Sequence, residues 1–220
     1  MSIKPQLAIL ALAASFAAAS AQAAITVYTS QASFLAATSG LVGVDTYNDL
    51  NPTEPLNGPL ARIAGTFSYT ASVGPLSNFF PALNNGVDIW LSTNNSGDTI
   101  TLSGFSGGAA AVGGFFFRSD VDGQATLAAA TITIVATDSF GSTVSRAQIN
   151  PAVNSFLGFV SNGTISSLRV FVGVEQVGTP DVWPTINDLH VAAAIPEPQT
   201  YALMLAGLGA VGFMARRRRG

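Results

Sequence analysis

The chain has 220 residues, no cysteine, a single histidine and a formal net charge of −3. Lacking cysteine, it has no disulfides, thiolate metal sites or thiol nucleophiles. Between residues 24 and 195, eleven acids stand against four arginines, a net of −7 that fits nucleic-acid phosphates poorly, so no nucleic-acid partner is expected.

The N-terminus opens Met1-Ser-Ile-Lys4, enters an uncharged apolar stretch over residues 7–19, and closes on Ala21-Gln22-Ala23. One positive charge, an apolar helix and a small-residue box are the parts of a secretory signal peptide. Ala21 and Ala23 mark the site for signal peptidase, with cleavage after Ala23. Residues 1–23 are therefore read as a signal helix, 24–195 as one domain and 196–220 as a C-terminal signal.

The domain reads as β almost throughout. Residues 25–29 alternate as a first strand, and Ser30 can cap a short helix over 31–37. Residues 44–50 form a further expected strand. Residues 51–59 hold three prolines and a glycine and read as a loop. Residues 66–72 alternate again, and 74–86 read as a loop anchored by Phe79, Phe80 and Pro81. In residues 87–91, Val87, Ile89 and Leu91 share one face while Asp88 and Trp90 share the other. Residues 99–103 turn Ile100 and Leu102 inward and threonines outward. Phe115, Phe116 and Phe117 in the strand at 112–118 require cover on both sides. Strands at 129–137 and 142–148 flank a hairpin turn. Strands at 156–160 and 165–174 flank Ser161-Asn-Gly163, a second expected hairpin, because Asn-Gly accepts positive φ. A strand at 183–191 closes the domain, with Trp183 expected to plug the core. These elements predict an all-β fold: an antiparallel two-sheet sandwich, jelly-roll-like, flanked by the signal helix and a C-terminal transmembrane helix.

After the domain come Pro196-Glu197-Pro198, an uncharged run over 201–215, and Arg216, Arg217, Arg218 and Arg219. The prolines force an extended segment. Fifteen helical residues span about 22 Å, short of a hydrocarbon core of about 30 Å. Tyr201 at one interface and snorkelling arginine stems at the other extend that reach. The arginines place the C-terminus in the cytoplasm, with the domain outside and the inner membrane a transient partner.

The order of triplet, glycine-bearing apolar helix and arginine tail resembles the PEP-CTERM sorting signal. The resemblance implies a Gram-negative exported protein whose tail is recognised by an exosortase, an intramembrane cysteine transpeptidase, and cut near Pro196-Glu197-Pro198. It further implies a setting of extracellular polysaccharide and biofilm matrix. Four internal segments also resemble recurrent pieces of β-rich PEP-CTERM proteins: residues 45–50, 113–117, 155–161 and 183–189. In the last of these the acid follows the asparagine, as Asn187-Asp188, so the acid is expected to change face.

Chemistry is sparse. His190 is the only histidine, no G-x-S-x-G elbow is present, and the expected place for His190 is the surface. No catalytic residue is identified. Asp120-Val-Asp-Gly123 lacks the later ligands of a calcium loop and reads as a turn. Asp45 or Asp49 and Asp188 are candidate ligands of a structural Ca²⁺, because hard oxygen ligands suit it, the alternative being solvated carboxylates at strand ends; no cofactor is required. Trp90, beside Asp88, is the candidate sugar-stacking residue, the alternative being a residue covered on that sheet face by the loop at 74–86. The sequence thus points to an exported cell-surface or matrix protein with a structural or interaction role. The alternative is a binding module for self-made exopolysaccharide, and a polysaccharide hydrolase is the remote third reading.

Overall fold

The computed structural model describes residues 24–84, 87–173 and 181–194, with 205 and 207–209. In chain order these form β1 (Ile25–Tyr28), α1 (Gln31–Ala36), β2 (Thr38–Asp45), β3 (Leu56–Asn57), β4 (Leu60–Ala64), β5 (Phe67–Ser72), β6 (Asn78–Asn84), β7 (Asp88–Thr93), β8 (Thr99–Ser103), β9 (Ala109–Ser119), β10 (Thr131–Asp138), β11 (Thr143–Ile149), β12 (Phe156–Ser161), β13 (Ile165–Val172) and β14 (Trp183–Ala194).

Pairing is antiparallel throughout the described residues and builds two sheets. Sheet A runs β1-β12-β9-β14-β7-β6-β3, with β2 added alongside β14. Sheet B runs β11-β10-β13-β8-β5-β4. Strict alternation makes this a sandwich. Ile132, Ile134, Leu168 and Val170 of sheet B face Phe116, Ile186, Leu189 and Val191 of sheet A in one buried core.

The outer face of sheet A is covered as well. Ser30 caps α1 by accepting from the Ser33 amide at 3.2 Å. The helix then lays Phe34, fully buried, across β12 and β9. Two paired glycines make the space: a Cβ on Gly158 would strike the Phe34 ring, and one on Gly113 would lie 2.8 Å from the Gly158 Cα. Farther along, Trp90, Phe117 and Ala82 form a second buried group beneath the loop at 120–124. So Phe115, Phe116 and Phe117 fall into three separate apolar clusters, the two-sided cover that the sequence requires. The outer face of sheet B carries no such cluster and is lined by threonine and serine.

Several expected elements are corrected. The strand placed at 44–50 lies earlier, at β2, because Tyr47 adopts φ 59° and ends extension. The loop at 51–59 contains β3, and β4 follows it directly. The loop at 74–86 contains β6, where Pro81 pairs with Leu91. Ser161-Asn-Gly163 is not a hairpin: β12 belongs to sheet A and β13 to sheet B, so the turn crosses between sheets. Trp183 lies half-buried on the outer side of sheet A and does not plug the core.

Among the described residues no helix is long and apolar enough to cross a membrane. The expected signal helix with Ala21 and Ala23, the triplet Pro196-Glu197-Pro198, Tyr201, and Arg216, Arg217, Arg218 and Arg219 all lie outside the described residues. Within the expected span, Leu205 and residues 207–209 are helical and exposed.

Candidate functional site

Three of the four internal segments lie on strands of sheet A, and the fourth begins at its edge. Residues 113–117 lie on β9 between 155–161 on β12 and 183–189 on β14, and Leu189 pairs with Asp45 at the end of β2. The polar groups gathered where β2 meets β14 and β4 include the Arg62 ion pairs with Asp45 and Asp49.

Asp45 is their centre. Its carboxylate accepts from the Tyr47 amide at 3.0 Å, Arg62 Nε at 2.9 Å, Arg62 Nη2 at 2.6 Å and the Tyr69 hydroxyl at 2.7 Å. Arg62 turns its remaining donors to Asp49, with Nη1 at 2.9 Å and Nη2 at 2.6 Å. One guanidinium is therefore gripped bidentately on two sides. The Asp45 side chain is 3% exposed and the Asp49 side chain 70%. Burial opposes the Arg62 charge, but the bonds to Asp49 and Asp45 outweigh it and hold the group above its ordinary value. The Arg62 bond holds the Asp49 carboxyl below its ordinary range. Burial, and then the negative charge of Asp45, keep the Tyr47 phenol protonated far above neutral pH. Burial does the same for Tyr69, aided by Tyr47 and Asp45.

The chain needs this clamp locally. Gly43 of β2 runs so close to the β4–β5 turn that a Cβ there would fall on the Ala64 carbonyl. The edges of the two sheets meet at this point, and Arg62 ties the β2 end to β4.

Asp188 does not join the clamp. It forms a bulge in β14 with φ 45°, between Asn187, whose amide donates to Asp88 at 2.9 Å, and Leu189, which returns to the core. The face change expected from the Asn-Asp order is absorbed by this bulge. Burial and the nearby Asp88 raise the Asp188 carboxyl above its ordinary value.

The pairing of Asp45 or Asp49 with Asp188 around Ca²⁺ is corrected on the same grounds. The Asp45 and Asp49 oxygens already accept from a cation, and Ca²⁺ would have to displace the guanidinium. Among the described residues no group of three or more histidine or carboxylate side chains is placed to hold a metal ion. The donor set does not fit the ion.

Trp90 is also corrected as a sugar contact. It shares its outer face with Asp88 as the alternation requires, yet is 1% exposed. Its Nε1 donates to the Gly123 carbonyl at 2.8 Å, and its ring meets Phe117 edge-on at 4.9 Å. Residues 120–124 are the turn that covers it, with Asp120 accepting from the Asp122 and Gln124 amides.

His190 is buried, contrary to its expected place at the surface. Nδ1 lies 2.6 Å from the Asp188 carbonyl, which can only accept, so Nδ1 carries the proton and Nε2 accepts from Gln31 at 2.8 Å. Phe34, Phe115 and Phe156 surround the ring edge-on. Burial holds the ring below its ordinary value despite the Asp188 carbonyl.

Beyond β14 the comparison is with a known signal. Residues 194–219 match the family model of the PEP-CTERM protein-sorting motif. The chain carries a PEP-CTERM sorting motif. This motif begins on Ala194, the last residue of β14, and marks the chain for export with a membrane-associated C-terminal signal. No curated protein matches the chain. Among the solved structures that resemble it weakly are the following three. One is the CBM22-1–GH10 portion of Clostridium thermocellum endo-1,4-β-D-xylanase 10B complexed with xylohexaose (10% identity, 56% of this chain and 26% of that one, TM-score 0.35). The second is the CBM22-1 xylan-binding domain of Paenibacillus barcinonensis Xyn10C (14%, 70% and 95%, TM-score 0.33). The third is the CBM22-1–CBM22-2 tandem domain of the same protein (16%, 74% and 49%, TM-score 0.34). The chain spans about a quarter of the first and about half of the third. At TM-scores this low, no ligand follows for this chain.

Proposed function

We propose that this chain is an exported surface or matrix protein of a Gram-negative cell, with a structural or interaction role and no catalytic activity of its own. One observation carries the reading: the PEP-CTERM motif starts where β14 ends, inside sheet A's central strand order. In this reading signal peptidase removes residues 1–23, and the tail holds the domain outside the inner membrane with its C-terminus in the cytoplasm. An exosortase then cuts near Pro196-Glu197-Pro198. β14, the last described strand, ends at Ala194, so a cut near the triplet leaves every described strand in place.

Intact-mass measurement of the protein recovered from the cell surface tests this. A mature form from about residue 24 to near the triplet is expected, and deletion of the exosortase should leave a membrane-bound form that retains Arg219. Surface protein that still carries the arginines would refute the processing step.

A further inference from the structure

β14 delivers the C-terminal tail at one end of the sandwich. The ends of neighbouring strands of sheet A line up there. Ala194 pairs with Thr38 of β2, Ala193 with Ala109 of β9, and Ser161 of β12 with Ile25 of β1. Hydrogen bonds bring a turn of sheet B to the same level. Ser161 donates to Asp138 at 3.0 Å, the Ser139 amide to the Thr164 carbonyl at 2.8 Å, and the Asn162 amide to the Ala24 carbonyl at 3.3 Å. Residues 37–41, 104–109, 139–142 and 162–164, which make this end, include no acidic or basic side chain. Asp138 adjoins them but is 2% exposed, accepting from Ser161 and from the Phe140 and Ser142 amides.

The opposite end is acidic. β9 reaches it at Ser119, β14 starts from it at Trp183 and β8 starts from it at Thr99, so Asp98, Asp120, Asp122 and Asp181 lie there. Exposed apolar side chains occur at both ends, Val121 and Leu127 at the acidic one and Leu41 and Phe140 at the tail end. Charge, not apolarity, separates the two.

The tail brings the uncharged end to a bilayer. Six residues separate Ala194 from Tyr201, where the apolar run begins. Even fully extended, that stretch spans no more than about 25 Å. The length of β9 holds the acidic end about 33 Å farther off, and Asp188 stands about 20 Å from Ala194 along β14. Both distances exceed the Debye length of about 8 Å at physiological salt. The net negative charge of the domain therefore leaves this end free to approach lipid. Phe140 is 65% exposed and rests across Gly163, where a Cβ would strike its ring. Gly163 follows β12, and only β9 separates β12 from β14, so this turn stands about 10 Å to the side of the tail's exit. An aromatic ring among hydroxyl and backbone groups, with no charge to desolvate, suits the interface of a bilayer.

We propose that this uncharged end docks on the bilayer surface while the tail is anchored. The loop at 104–108 and the turns at 139–142 and 162–164 lie against the headgroups, Phe140 inserts among them, and the acidic end faces away. The proposal rests on the reading above, in which the tail holds the domain outside the inner membrane.

The chain has no cysteine, so a single introduced cysteine takes a bimane label at one place. Thr164→Cys, Val121→Cys and Leu205→Cys are labelled separately in the full chain, purified from a host without exosortase and held in phosphatidylcholine nanodiscs. Some of the lipid carries a nitroxide on its headgroup, which quenches a label at the bilayer surface. Quenching is expected at 164 and 205 and not at 121. Adding Phe140→Asp should cut the quenching at 164 about twofold or more, because a carboxylate is costly to take out of water. It should leave the quenching at 205 and the circular dichroism unchanged. No quenching at 164, equal quenching at 164 and 121, or no response to Phe140→Asp would overturn the proposal. Quenching at 205 without quenching at 164 defeats the docking alone. A label at 205 that is not quenched defeats the anchoring, and the docking with it.

Discussion

Replacing Arg62 with methionine tests what the clamp does. The side chain keeps an unbranched apolar stem but loses its charge and donors. Asp45, 3% exposed, then retains only the Tyr47 amide and the Tyr69 hydroxyl as partners. Removing one partner of a buried ion pair typically costs about 3–5 kcal/mol. The two surviving bonds place the expected loss at the lower end, about 3 kcal/mol, or a fall in melting temperature of roughly 6–12 °C for a domain of this size. The Asp49 arm supplies the internal control. Its carboxylate is 70% exposed, so Asp49→Asn should cost less than about 1 kcal/mol despite two short bonds to the same guanidinium. Urea unfolding at pH 7 measures both, with an unchanged m-value required for the comparison. Adding about 0.5 M NaCl should erase the Asp49→Asn effect and leave most of the Arg62→Met effect, because burial shields a pair from screening. Equal costs for the two variants, or a cost below about 1 kcal/mol for Arg62→Met, would refute the assignment of the energy to the buried arm.

His190 should make the fold acid-sensitive. Burial lowers its folded pKa below 6.5, so the unfolded chain takes up a proton first as pH falls through that value. Urea midpoints should be full near pH 8 and decline below 6.5, with a flatter profile in His190→Gln. Asp188 acts with the opposite sign: its carboxyl is raised, so its ionisation opposes folding at neutral pH. Asp188→Asn should raise stability slightly, by about 1 kcal/mol or less after solvent screening, and the melting temperature with it, since asparagine also accepts the φ of 45°. A fall would show that the Asp188 charge supports the bulge. Gly43→Ala should destabilise by more than about 2 kcal/mol, because β2 must retreat from the Ala64 carbonyl; a neutral thermal melt would contradict the close approach. Millimolar Ca²⁺ should leave the melting temperature unchanged, whereas a rise of several degrees would mean that the ion displaces Arg62.

Much of the sandwich was legible because alternation is a local signal. In β8 every second residue is apolar and buried, and the same alternation runs through Ile132, Ile134 and Ala136 of β10 and Leu168 and Val170 of β13, so period two reads the strand and its inner face together. β6 escaped because Pro81, Phe79 and Phe80 break that period, and the strand is buried on both sides by partners the sequence does not name. The same blindness misplaced Trp90. Its face was read correctly, but the loop that covers it lies 33 residues away. The crossing at Asn162-Gly163 was missed because a tight turn has the same chemistry whether the chain returns within one sheet or steps to the other. Arg62 gave no signal of its own: a lone arginine in a short strand acquires meaning only when β2 and β4 meet.

By itself the sequence determined the all-β class and the C-terminal sorting motif. Both are written in contiguous residues, one as alternation along a strand and the other as a linear signal read by processing machinery. Tertiary structure alone decided which polar residues share a site. Gln31 reaches His190 across 159 positions and Arg62 reaches Asp45 across 17. Sheet register and the packing of α1 set those distances, because a hydrogen bond or ion pair depends on separation in space and not along the chain.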